Sequence, residues 1–191
     1  MKNISTRYYP KTEDKNVIKS ACNVVKFWLE HIEEMEEQGR GLYLWSDAKG
    51  SGKTMMITAL GNELMDEYGK QVKFATSSDI LDEIRASYER QTDTHESKLL
   101  SQLVTVDYLI IDDMGVERVT DWVSEKIYTI VNKRYINKKV TFYTSNYDVT
   151  DLPYDNRVGN RIKERCFVMH FPETSARDLI AVEHEKELKG E

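Results

Sequence analysis

The sequence predicts an α/β fold: a three-layer sandwich with helices on both faces of a parallel sheet. Three observations lead there. Short apolar or β-branched runs at 41–45, 72–76, 106–111, 140–144 and 167–171 alternate with segments whose apolar residues recur at helical spacing. Most of those runs lack an apolar-polar alternation, as strands buried on both faces do. The 191 residues, 40% hydrophobic and 31% charged, suffice for one domain with a sizeable core.

The first helix is expected from Asn16 to Gln38, through Val17, Ala21, Val24, Val25, Trp28, Leu29, Ile32 and Met35, with Asn16 as cap and Gly39 as stop. A strand follows at 41–45. After a glycine-bearing turn, Met55, Met56, Ala59, Leu60, Leu64 and Met65 mark a helix closed by Gly69. The strand at 72–76 leads to Ser78-Asp79, which can cap a helix from Ile80 to Glu89. A polar stretch from Arg90 to Glu96 precedes a shorter helix around Leu99, Leu100 and Leu103. The central strand is expected at 106–111. Thr120-Asp121 opens a helix burying Val123, Ile127, Ile130, Val131 and Tyr135. The strand at 140–144, a helix near 157–164, a strand at 167–171 and a charged terminal helix complete the chain. No internal repeat or low-complexity tract interrupts it.

Composition excludes several classes. No apolar stretch reaches the roughly 18 residues of a membrane span, and the first ten residues contain no signal-peptide core. A cytoplasmic protein with no membrane partner is expected. Two isolated cysteines, Cys22 and Cys166, make no disulfide framework, and the four histidines lack metal-ligand spacing. A net charge of −6 argues against a broad nucleic-acid-coating surface but permits a local basic stripe.

The most informative residues are Asp47-Ala48-Lys49-Gly50-Ser51-Gly52-Lys53-Thr54. A strand, a tight glycine turn and a helix start converge backbone N–H groups on one point, where a polyphosphate fits. Ala48, Lys49, Gly50, Ser51, Gly52, Lys53, Thr54 and Met55 are therefore candidate nucleotide-binding residues. Lys53 reaches the outer phosphates and Thr54 can hold Mg²⁺. The segment resembles a Walker A loop, with Asp47 standing where that pattern has glycine. A carboxylate there is unfavourable beside phosphates unless it points away.

Tyr108-Leu109-Ile110-Ile111 delivers Asp112-Asp113 to the carboxyl edge of the sheet, where the glycine loop also lies. Asp112 is the candidate for the Mg²⁺ shell and Asp113 for polarising an attacking water. Asn146, after the 140–144 strand, either orients that water or contacts the γ-phosphate, or is a plain turn residue. Arg161 and Arg165, at i and i+4 on one helix face, are solvated charges or guanidiniums aimed at a neighbouring subunit's γ-phosphate.

In the order Gly50-Ser51-Gly52-Lys53-Thr54, Leu109 to Gly115, Thr144-Ser145-Asn146 and Arg161 to Arg165, the chain resembles a AAA+ ATPase. More narrowly it resembles the DnaC/DnaI-type replicative helicase loaders, phage-borne ones included. Tyr8-Tyr9, Gly115 to Trp122 and Asn132-Lys133-Arg134-Tyr135 add to that likeness, which covers about residues 7–178. The resemblance implies a P-loop AAA+ sheet over 41–178, with 1–40 as a lead-in helix and 179–191 as a charged helix or tail. Neither a separate C-terminal lid domain nor the N-terminal helicase-binding module of full-length loaders is expected. It further implies ATP hydrolysis with Mg²⁺, low until subunits assemble or a partner binds. Homo-oligomers with shared ATP sites, a ring helicase and single-stranded DNA are the implied partners. By position, Lys53 and Thr54 are Walker A, Asp112 and Asp113 Walker B, Asn146 sensor 1, and Arg165, with Arg161 second, the arginine finger. Arg177 falls where relatives keep a late arginine, without an assigned role.

IstB-like transposition helpers share these motifs and differ in client. An ATP-dependent switch or helicase inhibitor that scarcely hydrolyses is the non-enzyme alternative, and Asp47 favours it. A P-loop nucleotide kinase would need an arginine-rich lid, which is not seen. The helix ending in Arg85, Tyr88 and Arg90 is a candidate single-strand contact, though its acidic neighbours suit a solvated face as well.

Overall fold

Successive residues of the central strands are buried on opposite faces, and this alternation builds the layers. In the computed structural model, which describes residues 6–89 and 93–189, the sheet has five strands. They are β1 (Gly41–Trp45), β2 (Val72–Thr76), β3 (Tyr108–Met114), β4 (Val140–Ser145) and β5 (Cys166–His170). All pair in parallel, in the order β2-β3-β4-β1-β5.

Leu42, Leu44, Tyr108, Ile110 and Phe142 face α1 (Thr12–Glu30), α2 (Ile32–Gln38) and α3 (Lys53–Asp66). Tyr43, Leu109, Ile111 and Tyr143 face α4 (Ser77–Glu89), α5 (Asp93–Thr105), α6 (Asp121–Ile136) and α7 (Asn156–Arg165). This is the predicted three-layer sandwich. Trp28 anchors the first layer, with its ring edge-on to Phe142 at 5.3 Å and to Tyr108 at 6.0 Å, and its indole N–H donating to the Arg40 carbonyl. Burying such a side chain contributes about 2–3 kcal/mol. The last helix, α8 (Ala176–Lys189), joins this layer through Ala176.

The structure departs from the sequence reading in several places. The helix expected over 16–38 begins at Thr12 and is two helices, broken at His31 (φ −117°, ψ 30°). There the Phe27 carbonyl lies close to both the His31 backbone N–H and its Nδ1. Asn16 lies inside α1 and caps nothing, whereas Gly39 closes α2 in the left-handed region as expected. Helix α4 starts at Ser77, because the Thr76 hydroxyl rather than Ser78 or Asp79 accepts the Asp79 N–H. Helix α5 begins at Asp93, so the expected polar separator is partly helical, and Arg90 lies outside the described residues.

A further departure concerns Arg134. The α6 face that carries Val123, Ile127, Ile130 and Val131 continues to this arginine, 1% exposed, while Tyr135 is only half-buried. Arg134 Nε donates to Thr141 Oγ1 (2.8 Å). Its Nη atoms donate to the carbonyls of Leu103 (2.7 Å), Val106 (2.9 Å) and Val140 (2.6 Å), among others. One guanidinium thus closes the carbonyls at the end of α5 and the start of β4. Burial lowers its pKa to about 10, still charged at neutral pH. Leaving buried carbonyls unpaired costs about 1–3 kcal/mol each. Arg134→Ala is expected to destabilise the fold by at least about 3 kcal/mol, read as a lower urea midpoint at unchanged slope.

Candidate nucleotide-binding site

A parallel sheet brings the carboxyl ends of all its strands to one edge, and the site is built there. A cleft of about 500 Å³ opens over the loop between β1 and α3, lined by Lys49 to Met55, Asp113 and Asn146. Gly52 has φ +98°, and a Cβ there would lie 2.5 Å from the Tyr9 hydroxyl, so glycine is required. Lys53 opens α3 and is 5% exposed. Its Nζ donates to the carbonyls of Ser46 (3.2 Å) and Ala48 (3.0 Å) and to Ser51 Oγ (3.3 Å). Burial lowers its pKa, against the opposing pull of Asp113, Glu173, Asp112 and Asp47. An anion entering the loop would exchange those neutral carbonyls for charged oxygens, a gain for a desolvated ammonium.

Asp47 is exposed and does not line the cleft; its N–H and that of Ala48 donate to the Glu173 carboxylate at 3.3 and 2.8 Å. Among the described residues the only non-glycine positive φ angles are at Asp113 and Lys138, so the Asp47 backbone does not demand glycine. Ala48 points its amide at Glu173 and, unlike the rest of the expected loop residues, does not line the cleft.

Strand β3 does not end at Ile111 as expected. It runs to Met114 with a register irregularity between Ile111 and Met114, and Asp113 adopts φ 55°. Left-handed backbone costs a non-glycine residue about 1–2 kcal/mol, and a bulge re-aims side chains beside a site. The outcome is that Asp112 reaches Thr54 while its neighbour Asp113 lines the cleft. Thr54 Oγ1 donates to Asp112 Oδ1 at 3.0 Å, Thr144 Oγ1 donates to the same oxygen at 2.5 Å, and Asp113 N donates to Thr144 at 2.9 Å. Thr144 thus ties both acids to β4. The sequence names it only as part of Thr144-Ser145-Asn146, without a role, although it lies near the end of the strand that leads to Asn146. Asn146 lines the cleft, half-buried.

Burial raises the Asp112 pKa, with Asp113 adding to it and the two threonine hydroxyls and Lys53 opposing. A buried carboxylate beside a threonine hydroxyl is an all-oxygen donor pair. It suits Mg²⁺, which takes few protein ligands and fills its shell from phosphate and water. Among the described residues no cluster of three or more His, Cys, Asp or Glu could hold another metal.

The rest of the cleft comes from both ends of the chain. Tyr8, Tyr9, Ala176, Arg177 and Ile180 line it, together with Val116. Tyr9 donates to the Ser51 carbonyl at 2.8 Å, and the Arg177 N–H to the Gly50 carbonyl at 3.3 Å. Arg161 and Arg165 lie elsewhere. Arg165 precedes Cys166, which pairs with Gly41 at the start of β1, the sheet edge remote from the glycine loop. Its guanidinium donates to the Gln38 carbonyl at 2.8 Å, and both arginines lie over the Tyr135 ring. Arg85 pairs with Asp82 and covers Trp122; the Tyr88 side chain and Arg90 lie outside the described residues. No described helix is long and apolar enough to cross a membrane.

Such a glycine loop, facing paired acids across a parallel sheet in this strand order, defines a P-loop ATP-binding domain of the AAA+ type. Within that class, the chain belongs to the IstB-like ATP-binding protein family (IstB_IS21), which matches residues 38–155. It is 29% identical over 163 residues to the phage-like element PBSX protein XkdC of Bacillus subtilis (strain 168), covering 82% of this chain and 59% of XkdC. It is 33% identical over 119 residues to the replicative helicase loader DnaI of the same organism, covering 61% of this chain and 36% of DnaI. The chain therefore spans less than two thirds of either relative. The crystal structure of the DnaC helicase loader superposes with a TM-score of 0.72 at 24% identity, over 88% of this chain and 100% of that one, a likeness of fold.

A raised carboxylate pKa means that the fold favours protonated Asp112; that relative stability is lost as the pH rises through the raised value. Asp112→Asn is therefore expected to raise the thermal midpoint of the nucleotide-free protein at neutral pH. The gain should shrink as the pH falls into the carboxylate range, while the Mg²⁺-dependent part of any nucleotide-induced shift disappears. Calorimetry at a series of pH values checks both.

Proposed function

We propose that this chain binds ATP with Mg²⁺ in the cleft and hydrolyses it as the motor domain of a helicase-loader-type protein. The observation that carries this reading is the hydrogen-bonded relay from Thr54 through Asp112 and Thr144 to Asp113, joining the phosphate loop to two acids. Lys53 exchanges the Ser46 and Ala48 carbonyls for outer phosphate oxygens, and the amides of Gly50 to Thr54 surround the phosphates. Thr54 and Asp112 would hold Mg²⁺, which when bound would neutralise part of the triphosphate charge. Asp113 accepts the proton of a water that attacks the γ-phosphorus, Asn146 orients that water, and ADP leaves.

Arg165, with Arg161 beside it, serves the site of a second copy, since both lie at the sheet edge away from their own cleft. The active form is then a homo-oligomer with shared ATP sites, working in the cytoplasm. The names of the loader relatives support a replicative helicase as client, and single-stranded DNA is the second partner of this reading. Capture of a transposase instead of a helicase would point to the transposition-helper reading.

Turnover per subunit is expected to rise with protein concentration. Arg165→Ala should lower it at least about 10³-fold, as loss of an arginine finger does. The nucleotide-induced thermal shift should persist in that variant and vanish in Lys53→Ala. Concentration-independent turnover that Arg165→Ala leaves unchanged overturns the shared site. Because Asp47 is exposed and does not line the cleft, Asp47→Gly is expected to change the Kd for ATP by less than about twofold, read by calorimetric titration; tighter binding with restored turnover would favour the switch reading.

A further inference from the structure

The Glu117 carboxylate, in the Gly115 to Trp122 segment but with no role assigned so far, ties the turn that carries Asp113 to two other segments. Asp113 and Gly115 both adopt left-handed backbone, φ 55° and 88°. At Gly115 a Cβ would lie 2.9 Å from the Tyr147 ring, so no side chain fits. The Gly115 N–H donates to the Tyr154 hydroxyl at 2.8 Å, and Tyr154 donates in turn to Glu117 Oε1. Glu117 Oε2 accepts from Ser77 Oγ at 2.8 Å, and that hydroxyl lies 3.0 Å from the Asp113 carbonyl oxygen. Ser77 is fully buried at the first position of α4, and Tyr154 is 6% exposed. Burial and the adjacent carboxylate both push the Tyr154 pKa up, keeping it a donor.

We infer that Glu117 is a positioning residue for Asp113: by accepting from Tyr154 and Ser77 at once, it fixes the left-handed turn that aims the Asp113 carboxylate into the cleft. The assignment rests on the hydrolytic reading above and extends it to a residue given no role there. Side chains in a strand alternate between faces, so a turn relaxed to ordinary strand geometry would carry Asp113 away from the cleft. A carboxylate offers two acceptor atoms and no competing donor, which two converging hydroxyls require.

Steady-state ATP hydrolysis with Glu117→Ala, Glu117→Gln and Tyr154→Phe tests this. Glu117→Ala and Tyr154→Phe should each lower kcat about 10- to 100-fold, with KM and the nucleotide-induced thermal shift held within about twofold. Glu117→Gln, which keeps an acceptor for Tyr154, should recover most of the rate. On an Asp113→Asn background, Glu117→Ala should cost nothing further. Unchanged kcat, a KM that rises with the loss, or full additivity with Asp113→Asn overturns the assignment. Amide exchange at Gly115 needs no turnover: Glu117→Ala should speed it at least tenfold while the β1 amides stay protected. If the wild-type chain never hydrolyses ATP but Gly115 exchange responds, the hydrolytic reading fails and the positioning contact stands; unchanged exchange sinks the positioning role itself.

Discussion

Strand direction is the constraint on which the rest depends. Since all five strands run the same way, every loop that follows a strand emerges at one edge, and the groups that could meet a triphosphate gather there without further design. The opposite edge receives the helix ends and their unpaired carbonyls. Arg134 answers that need from α6, and Arg165 reaches the Gln38 carbonyl close to the same edge. The two edges therefore solve different problems: one keeps polar groups available, the other silences them.

Availability has a cost within the isolated fold. Lys53 and Asp112 are desolvated without forming a direct pair, and Asp113 sits in a backbone conformation that ordinary residues avoid. Each is held by neutral partners: carbonyls around the ammonium, threonine hydroxyls on the carboxylate. Neutral partners can be exchanged when a charged ligand arrives, whereas a salt bridge between Lys53 and Asp112 would have to be broken first. The cleft is thus poised, and its instability is confined to a few residues on a rigid sheet.

The layers, all five strands and the glycine loop between β1 and α3 were legible in the sequence because they rest on local signals: apolar runs, helical spacing and a glycine turn between strand and helix. What escaped was non-local. The bulge in β3 depends on how Ile111 and Met114 pair with β4, and no residue type announces it. The burial of Arg134 on α6 follows only from the distant carbonyls that converge on it. His31 breaks the first helix with neither proline nor glycine. Tyr9, Arg177 and Glu173 could not be placed at the loop because their contacts join residues distant in sequence, 42 positions apart for Tyr9 and 125 for Glu173.

That last point bears on how a bound ligand would act on the whole molecule. The cleft is walled on one side by a 3-10 turn at Thr6–Tyr8 and on another by the first turns of α8. A molecule filling it would touch segments about as remote in sequence as this chain allows. It would behave like an added clasp, reinforcing the hold that Tyr9 and Arg177 already have on the loop.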